Sequence, residues 1–363
     1  MKIRTITCHD VDNSGASLQA YALVTYLRQQ GHDAAIIDYK PDYLSKHYSL
    51  SAVANPKYDK PVLKWIYLGL KLPERLKHLH GGRKKSFDSF KERFLPLTDT
   101  YHTFDDLKKN PPEADIYIAG SDQIWNTAFN NGRDPSFYLQ FAPEGCIRAS
   151  YAASFAAEHA DPAFADEQRL RIGAMDYVAV REKTGLGILK ELGIDNALTV
   201  CDPVFLLDAA HWRSIASEKA PQGDKPYIFV YDFDGRNDVK DAVQSMAAKY
   251  GCEIYSVFPL DYADRCVLET GPLEFLTYIL NARFVMSNSF HATAFSLILH
   301  KPFMTFDRRE NLNSRMRDLL ALTGLSGRTA ADDPINWNDV DARLANAVNE
   351  SKAYLDKVTG GRV

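Results

Sequence analysis

The chain has 363 residues, 45% of them apolar and 25% charged, and a formal net charge of -4. That composition belongs to a globular protein long enough for two domains and excludes disordered and fibrous classes. The slight acidity gives no case for a nucleic-acid partner, and no apolar run is long enough to span a bilayer.

Ile3–Cys8 reads as a first buried strand, so the N-terminus is expected to be part of a sheet rather than a leader peptide. His9–Gly15 is a polar loop, Ala16–Gln30 a helix stopped by Gly31, and Ala34–Tyr39 a second strand. In this βαβ opening, Asn13-Ser14-Gly15 falls where a Rossmann-like fold places its ligand loop. It equally suits a helix cap, and without G-x-G-x-x-G a dinucleotide is not favoured.

Tyr58–Leu97 breaks the rhythm and reads as two helices parted near Leu72-Pro73. Between Lys57 and Arg93, eleven Lys/Arg stand against four Asp/Glu, with Trp65 and several leucines among them. The preferred reading is a helical insertion, about 57–97, with a solvated basic face; the alternative is a peripheral surface for anionic lipid.

Alternation then returns. Strands are expected at Asp115–Ala119, Arg148–Ala153, Tyr177–Val180 and Ala197–Cys201, with helices at Pro162–Gly173 and Thr184–Leu192. A linker over Asp208–Lys225, with one short helix, leads to a second α/β half. Its strands are Tyr227–Tyr231, Glu253–Phe258, Phe284–Met286 and Phe303–Phe306, and its helices Asp238–Tyr250, Leu273–Leu280, one from Phe290 to His300, and about Asn311–Leu322. Trp337–Val358 is an amphipathic stretch able to cap either half.

Expected, then, is an α/β protein of two doubly wound Rossmann-like domains facing across a cleft: residues 1–207, 208–336, and a helical tail over 337–363. Right-handed crossovers bring Asn13, Ser121-Asp122, Ser154, Arg181-Glu182, Asp202 and Asn288-Ser289 with His291 to the cleft. The cysteines (Cys8, Cys146, Cys201, Cys252, Cys266) are odd in number and scattered, and read as buried thiols in a reducing, cytoplasmic setting, with no metal site expected.

His291 falls at a helix N-terminus. The dipole there favours the neutral ring, a bound dianion favours imidazolium, and such a residue suits general acid work. Arg181 either clamps a phosphate or carboxylate or pairs with Glu182 or a neighbouring carboxylate. Arg308, Arg309 and Arg315 follow the next strand, and at least one of them could reach the same anion. Residue chemistry alone points to a small phosphorylated substrate, and glycosyl transfer from a nucleotide sugar fits nearly as well.

Asn13-x-Gly15-x-x-Leu18-Gln19-Ala20-Tyr21, Gly120-Ser121-Asp122-Gln123-Ile124-Trp125-Asn126, Ser150-Tyr151-Ala152-Ala153-Ser154-Phe155, Val180-Arg181-Glu182, Asp202-Pro203 and Ser289-Phe290-His291-Ala292 occur in this order. Together with Asn313-x-Arg315-x-x-Asp318-Leu319-Leu320, this set resembles the polysaccharide pyruvyl transferase family over about residues 3–325.

The resemblance implies a GT-B-like fold and a cytoplasmic enzyme without cofactor. Its co-substrate would be phosphoenolpyruvate, and its acceptor a sugar or lipid-linked oligosaccharide, which gives the basic segment a reason to approach the inner membrane face. The product would be a cyclic pyruvate ketal. It also implies His291 as the acid, Arg181 as the anion-binding arginine, and Asp122 or Glu182 as the base. Asn13, Gly15 and Asp122 would face the sugar, and Ser121, Ser154, Asn288 and Ser289 would complete the binding turns. Many members carry an Arg where this chain has Ser289, so Arg308 or Arg309 is expected to assume that role. A nucleotide-sugar glycosyltransferase and a non-catalytic member are the alternatives.

Overall fold

In a computed structural model of the chain, residues 1–45, 81–216, 225–309, 313–328 and 330–360 are described. Short apolar segments buried on both faces, such as Ile116–Ala119, Tyr227–Tyr231 and Phe284–Ser287, can only be strands covered by helices on either side. They form two parallel sheets.

The N-terminal sheet runs in the order β3 (Leu97–Tyr101), β2 (Asp33–Tyr39), β1 (Lys2–Ile6), β4 (Ile116–Ala119), β5 (Ile147–Ser150). Beyond β5, bridges from Ala149 to Tyr177 and from Ala153 to Val180 attach the short parallel pair β6 (Ala179–Val180) and β7 (Leu198–Thr199). The C-terminal sheet runs β10 (Arg265–Cys266), β9 (Glu253–Ser256), β8 (Tyr227–Tyr231), β11 (Phe284–Ser287), β12 (Phe303–Thr305).

In each sheet the order reverses once, between β1 and β4 and between β8 and β11. Ligands of open α/β sheets bind at such reversals, beyond the strand C-termini. The loops that leave these four strands carry Asn13, Asp122, Phe233 and Asn288.

Helices in chain order are α1 (Ser14–Gln29), α2 (Asp42–Ser45), α3 (Gly82–Phe94), α4 (Phe104–Lys109), α5 (Ala165–Gly173) and α6 (Lys183–Glu191) in the first half. They continue with α7 (Ala209–Ala216), α8 (Asn237–Tyr250), α9 (Pro272–Asn281), α10 (Phe290–Ile298), α11 (Ser314–Thr323) and α12 (Trp337–Val358). Gly31, Gly193, Gly251 and Gly324 follow α1, α6, α8 and α11 with positive φ, the conformation that ends a helix without a Cβ penalty.

Expected elements recur within a few residues, with informative exceptions. Leu97, expected to end a helix, begins β3, a polar edge strand whose sequence LTDTY has no apolar alternation to announce it. The expected helix pair and the aromatic residues of the basic segment lie largely outside the described residues. In its described end, α3, two cations bond within the protein: Arg83 donates to the carbonyls of Asp12 (3.0 Å) and Thr270 (3.1 Å), one from each half, and Lys91 pairs with Asp10 at 2.9 Å, while Lys85 and Arg93 are exposed. The tail helix α12 joins both halves. Trp337 stacks on His300, while Tyr354 donates to the carbonyl of Ser150 (2.7 Å) and Ser351 accepts from the Cys201 amide (2.8 Å). No described helix is long and apolar enough to cross a membrane.

The halves meet through an apolar junction. Helix α1 is buried along most of its length rather than on one stripe, because its outer side faces the second half. Fully buried Trp212 of α7 packs edge-on against Tyr21 of α1 (centroids 5.8 Å) and Phe295 of α10 (4.9 Å), and its indole donates to the Val204 carbonyl at 3.0 Å. Trp212→Ala is expected to cost about 3–5 kcal/mol in denaturant unfolding, whereas Leu322→Ala on the surface stays within about 0.5 kcal/mol.

Candidate active site

Two helix N-termini face each other across the cleft. Asn13 caps α1, its Oδ1 accepting from the Ala16 amide at 3.2 Å, and Ser289 caps α10, its Oγ accepting from the Ala292 amide at 3.4 Å. The helices come so close that a Cβ on Gly15 would overlap the His291 ring. Gly15 therefore makes room for the imidazole and is not among the residues lining the cavity beside it. His291 is 8% exposed, and its Nε2, 3.5 Å from Asp202 Oδ2, has no hydrogen-bond partner.

Behind His291 lies a buried charge cluster. Arg181 holds Asp202 at 2.6 Å and Asp122 at 3.3 Å, comes within 4.0 Å of Glu182, and stacks on the Phe290 ring at 4.8 Å. Burial opposes its charge, but the three carboxylates outweigh burial and raise its pKa. Asp202 likewise is held well below the usual carboxylate range: burial works against ionisation, and the charges of His291 and Arg181 overcome it. Asp202 also accepts from the Val204 amide (3.1 Å) and from Ser121 Oγ (3.4 Å).

Glu182 is occupied: its Oε1 accepts from Ser154 Oγ (2.8 Å) and from the amides of Phe155 (3.1 Å) and Ala156 (3.2 Å). Asp122 differs. It sits at φ 74, a backbone region costly for a residue with a side chain, held by the Ser154 amide on its carbonyl at 2.9 Å. Its carboxyl pKa is lowered against burial by Arg181, His291 and Arg315.

In front of this cluster is a cavity of about 80 Å³. The N-terminal half lines it with Asn13, Asp122 and Gln123. The C-terminal half supplies Phe233, Asn288, Ser289, Phe290 and His291, with Arg308, Asn313, Arg315 and Met316 closing it. Asn288 is fixed by accepting from the Phe233 amide (3.0 Å) and donating to Asp232 (2.6 Å). Asn313 clasps the Arg308 backbone in both directions, and the Arg308 guanidinium lies 4.5 Å over Phe233. Arg309 is exposed and outside the lining. Among the described residues no His/Cys/Asp/Glu group is arranged to hold a metal. A larger, mainly apolar depression of about 610 Å³, between Tyr26, Phe205, Leu344 and Val348, shares no residue with this cavity.

So the structure brings together Asn13, Asp122, Asn288, Ser289, His291 and Arg308 at one cavity. Arg181, Glu182, Ser121 and Ser154 stand behind it, as the pairing alternative for Arg181 anticipated. Gln123, Phe233 and Arg315 were absent from the leading site assignment. For Arg315, the signal was its place in the Asn313-x-Arg315-x-x-Asp318 pattern.

The model of the polysaccharide pyruvyl transferase family matches residues 13–310. The chain belongs to that family. It is accordingly a transferase of the polysaccharide pyruvyl class. No curated protein matches the chain. Among solved structures, it is similar to a putative UDP-N-acetylglucosamine 2-epimerase from Listeria monocytogenes, at TM-score 0.50 and 10% identity, over 99% of this chain and 91% of that one. The UDP-GlcNAc 2-epimerases of Methanocaldococcus jannaschii (TM-score 0.47, 14% identity, 96% and 93% covered) and Neisseria meningitidis (0.45, 9%, 99% and 94%) are also similar. At these identities the likeness concerns the fold: two Rossmann-like domains in a GT-B arrangement.

Removing Arg181 leaves three buried carboxylates without their cation. Arg181→Met is expected to cost about 3–5 kcal/mol at neutral pH. The depressed pKa values of Asp202 and Asp122 contribute stability above the unfolded carboxyl range that is lost as pH falls through their folded values. In the variant those carboxyls protonate more readily, so the deficit shrinks toward acid. Urea unfolding at neutral pH and near pH 4 checks both points.

Proposed function

We propose that this family member moves pyruvate from phosphoenolpyruvate onto two hydroxyls of one sugar, in a surface polysaccharide or its lipid-linked precursor, and releases phosphate. The observation that carries the reading is His291: a buried imidazole at a helix N-terminus, its Nε2 unpartnered, on the wall of a small cavity edged by arginines. A cavity of about 80 Å³ suits a compact anion better than a nucleotide sugar, for which pockets run to several hundred Å³.

The chemistry follows from the charges. Phosphoenolpyruvate is an enol ester whose methylene carbon accepts a proton from His291, which makes C2 electrophilic. A first sugar hydroxyl adds to C2 and gives up its proton. The C2–O bond to phosphate then breaks, and the second hydroxyl closes the ketal, its proton leaving with the phosphate. Helix N-termini and guanidinium groups stabilise the anionic donor throughout. Asp202 lies 3.5 Å from Nε2. Of the two carboxylates considered as base, Asp122 lines the cavity and Glu182 lies outside its lining, which supports Asp122. Asn13 and Gln123 are the acceptor-side contacts. No cofactor enters the scheme.

Purified protein given phosphoenolpyruvate and a panel of free and lipid-linked oligosaccharides is expected to release phosphate and to add one ketal-linked pyruvate to an acceptor, read by mass spectrometry. His291→Ala is expected to lose about 10²–10⁴-fold in turnover. Wild-type turnover in that variant, or no phosphate release across the panel, contradicts the reading. Thermal stabilisation by UDP or GDP and none by phosphoenolpyruvate would favour glycosyl transfer instead.

A further inference from the structure

The two buried arginines of the cleft are in opposite situations. Arg181 has three carboxylates around it, the nearest at 2.6 Å, and does not line the cavity; its Nε, 4.0 Å from Glu182, makes no hydrogen bond among the described residues. Arg315 lines the cavity, is 8% exposed, and has no carboxylate of its own among the described residues. Its nearest acid is Asp122 at 3.7 Å, whose same Oδ1 lies closer to Arg181 at 3.3 Å. Arg315 also faces the Phe290 ring, 6.0 Å from its centroid, and the neutral Gln123 amide, whose oxygen, turned toward it, lies 2.7 Å from Nη2. The Arg315 Nε is buried and has no hydrogen-bond partner among the described residues.

A buried guanidinium with an idle donor and a shared counter-ion costs stability unless something else completes it. Its pKa is pushed down to about 10, by burial first and then by the neighbouring Arg181, which is the sign of an under-compensated cation.

The backbone holds it there. Arg315 is in the first turn of α11, and one turn on, Asp318 accepts from the Lys183 amide at 2.7 Å, at the N-terminus of α6 in the other half. This contact across the cleft fixes α11 and presents Arg315 to the cavity beside His291.

We propose that Arg315 is the receptor for the donor's anionic oxygens, binding them with its planar guanidinium while Arg181 serves the carboxylates behind it. The assignment rests on the phosphoenolpyruvate reading for the identity of the anion, but not for the existence of an anion site. A phosphate or carboxylate seated here supplies the missing negative charge, accepts from the idle donor in the charge-assisted geometry that guanidinium groups favour, and leaves Asp122 to the acceptor.

Removal of Arg315 separates this role from a structural one. Arg315→Gln relieves an uncompensated buried charge, so the ligand-free variant is expected to melt at or above the wild-type temperature. Its affinity for phosphoenolpyruvate, measured by calorimetry, is expected to fall at least 100-fold, and Arg315→Lys, which keeps charge but loses the fork, to fall between the two. Inorganic phosphate serves as a second titrant. Wild-type protein that binds phosphate but not phosphoenolpyruvate, with binding lost in Arg315→Gln, supports the anion site and contradicts the donor assignment. Wild-type affinity for phosphoenolpyruvate in Arg315→Gln overturns this inference and leaves the pyruvyl-transfer reading standing. Binding of neither titrant by the wild type overturns it, as does a ligand-free melting temperature lowered as far as by Arg181→Met.

Discussion

The ion pair between Arg181 and Asp202, 2.6 Å long and out of water, constrains everything else in the cleft. A guanidinium and a carboxylate at that depth are tolerated only if each is also satisfied by further partners. Arg181 finds them in Asp122, Glu182 and the face of Phe290, and Asp202 in Ser121 and the Val204 amide. Those partners come from the loops after β4, β6 and β7 and from the start of α10. One pair of charges thus ties both halves of the molecule to a common point, and His291 stands beside it.

Topology explains why the site forms there. Each sheet reverses its strand order once, and the loops from the four strands at these reversals supply most of the polar lining. The two halves are then set close enough that Gly15 and His291 touch, an approach only a residue without a side chain permits. The apolar junction around Trp212, the return of α12 to the first half, and the Asp318–Lys183 contact hold that distance.

Much of this was legible in the sequence because burial leaves a pattern. Strands β8 and β11 are apolar runs, and Ser287-Asn288-Ser289 is a polar turn before an apolar helix, so the position of His291 at the helix N-terminus followed directly. Polar elements were not legible in the same way. Strand β3 has no apolar alternation and is held by edge pairing, and Arg315 resembles any solvated charge on an amphipathic helix until the partner half covers it. Arg181 and Glu182 were placed correctly at a strand end, but spacing does not say that they face carboxylates and backbone amides rather than the cavity. Ser289 was expected to leave an anion-binding role for Arg308 or Arg309. The structure puts Ser289 in the cap of α10, Arg308 on the cavity wall, Arg309 outside, and Arg315 in the buried cationic position.

Proton transfer from His291 requires the donor's methylene carbon beside its ring, and a crystal structure with bound phosphoenolpyruvate measures that placement directly. The predicted result is the methylene carbon about 3–3.5 Å from Nε2, the approach distance of reacting atoms, with anionic oxygens on Arg315 and the Arg181–Asp202 pair undisturbed. A donor bound with its anionic groups on Arg181, or with its methylene carbon turned away from His291, would contradict it.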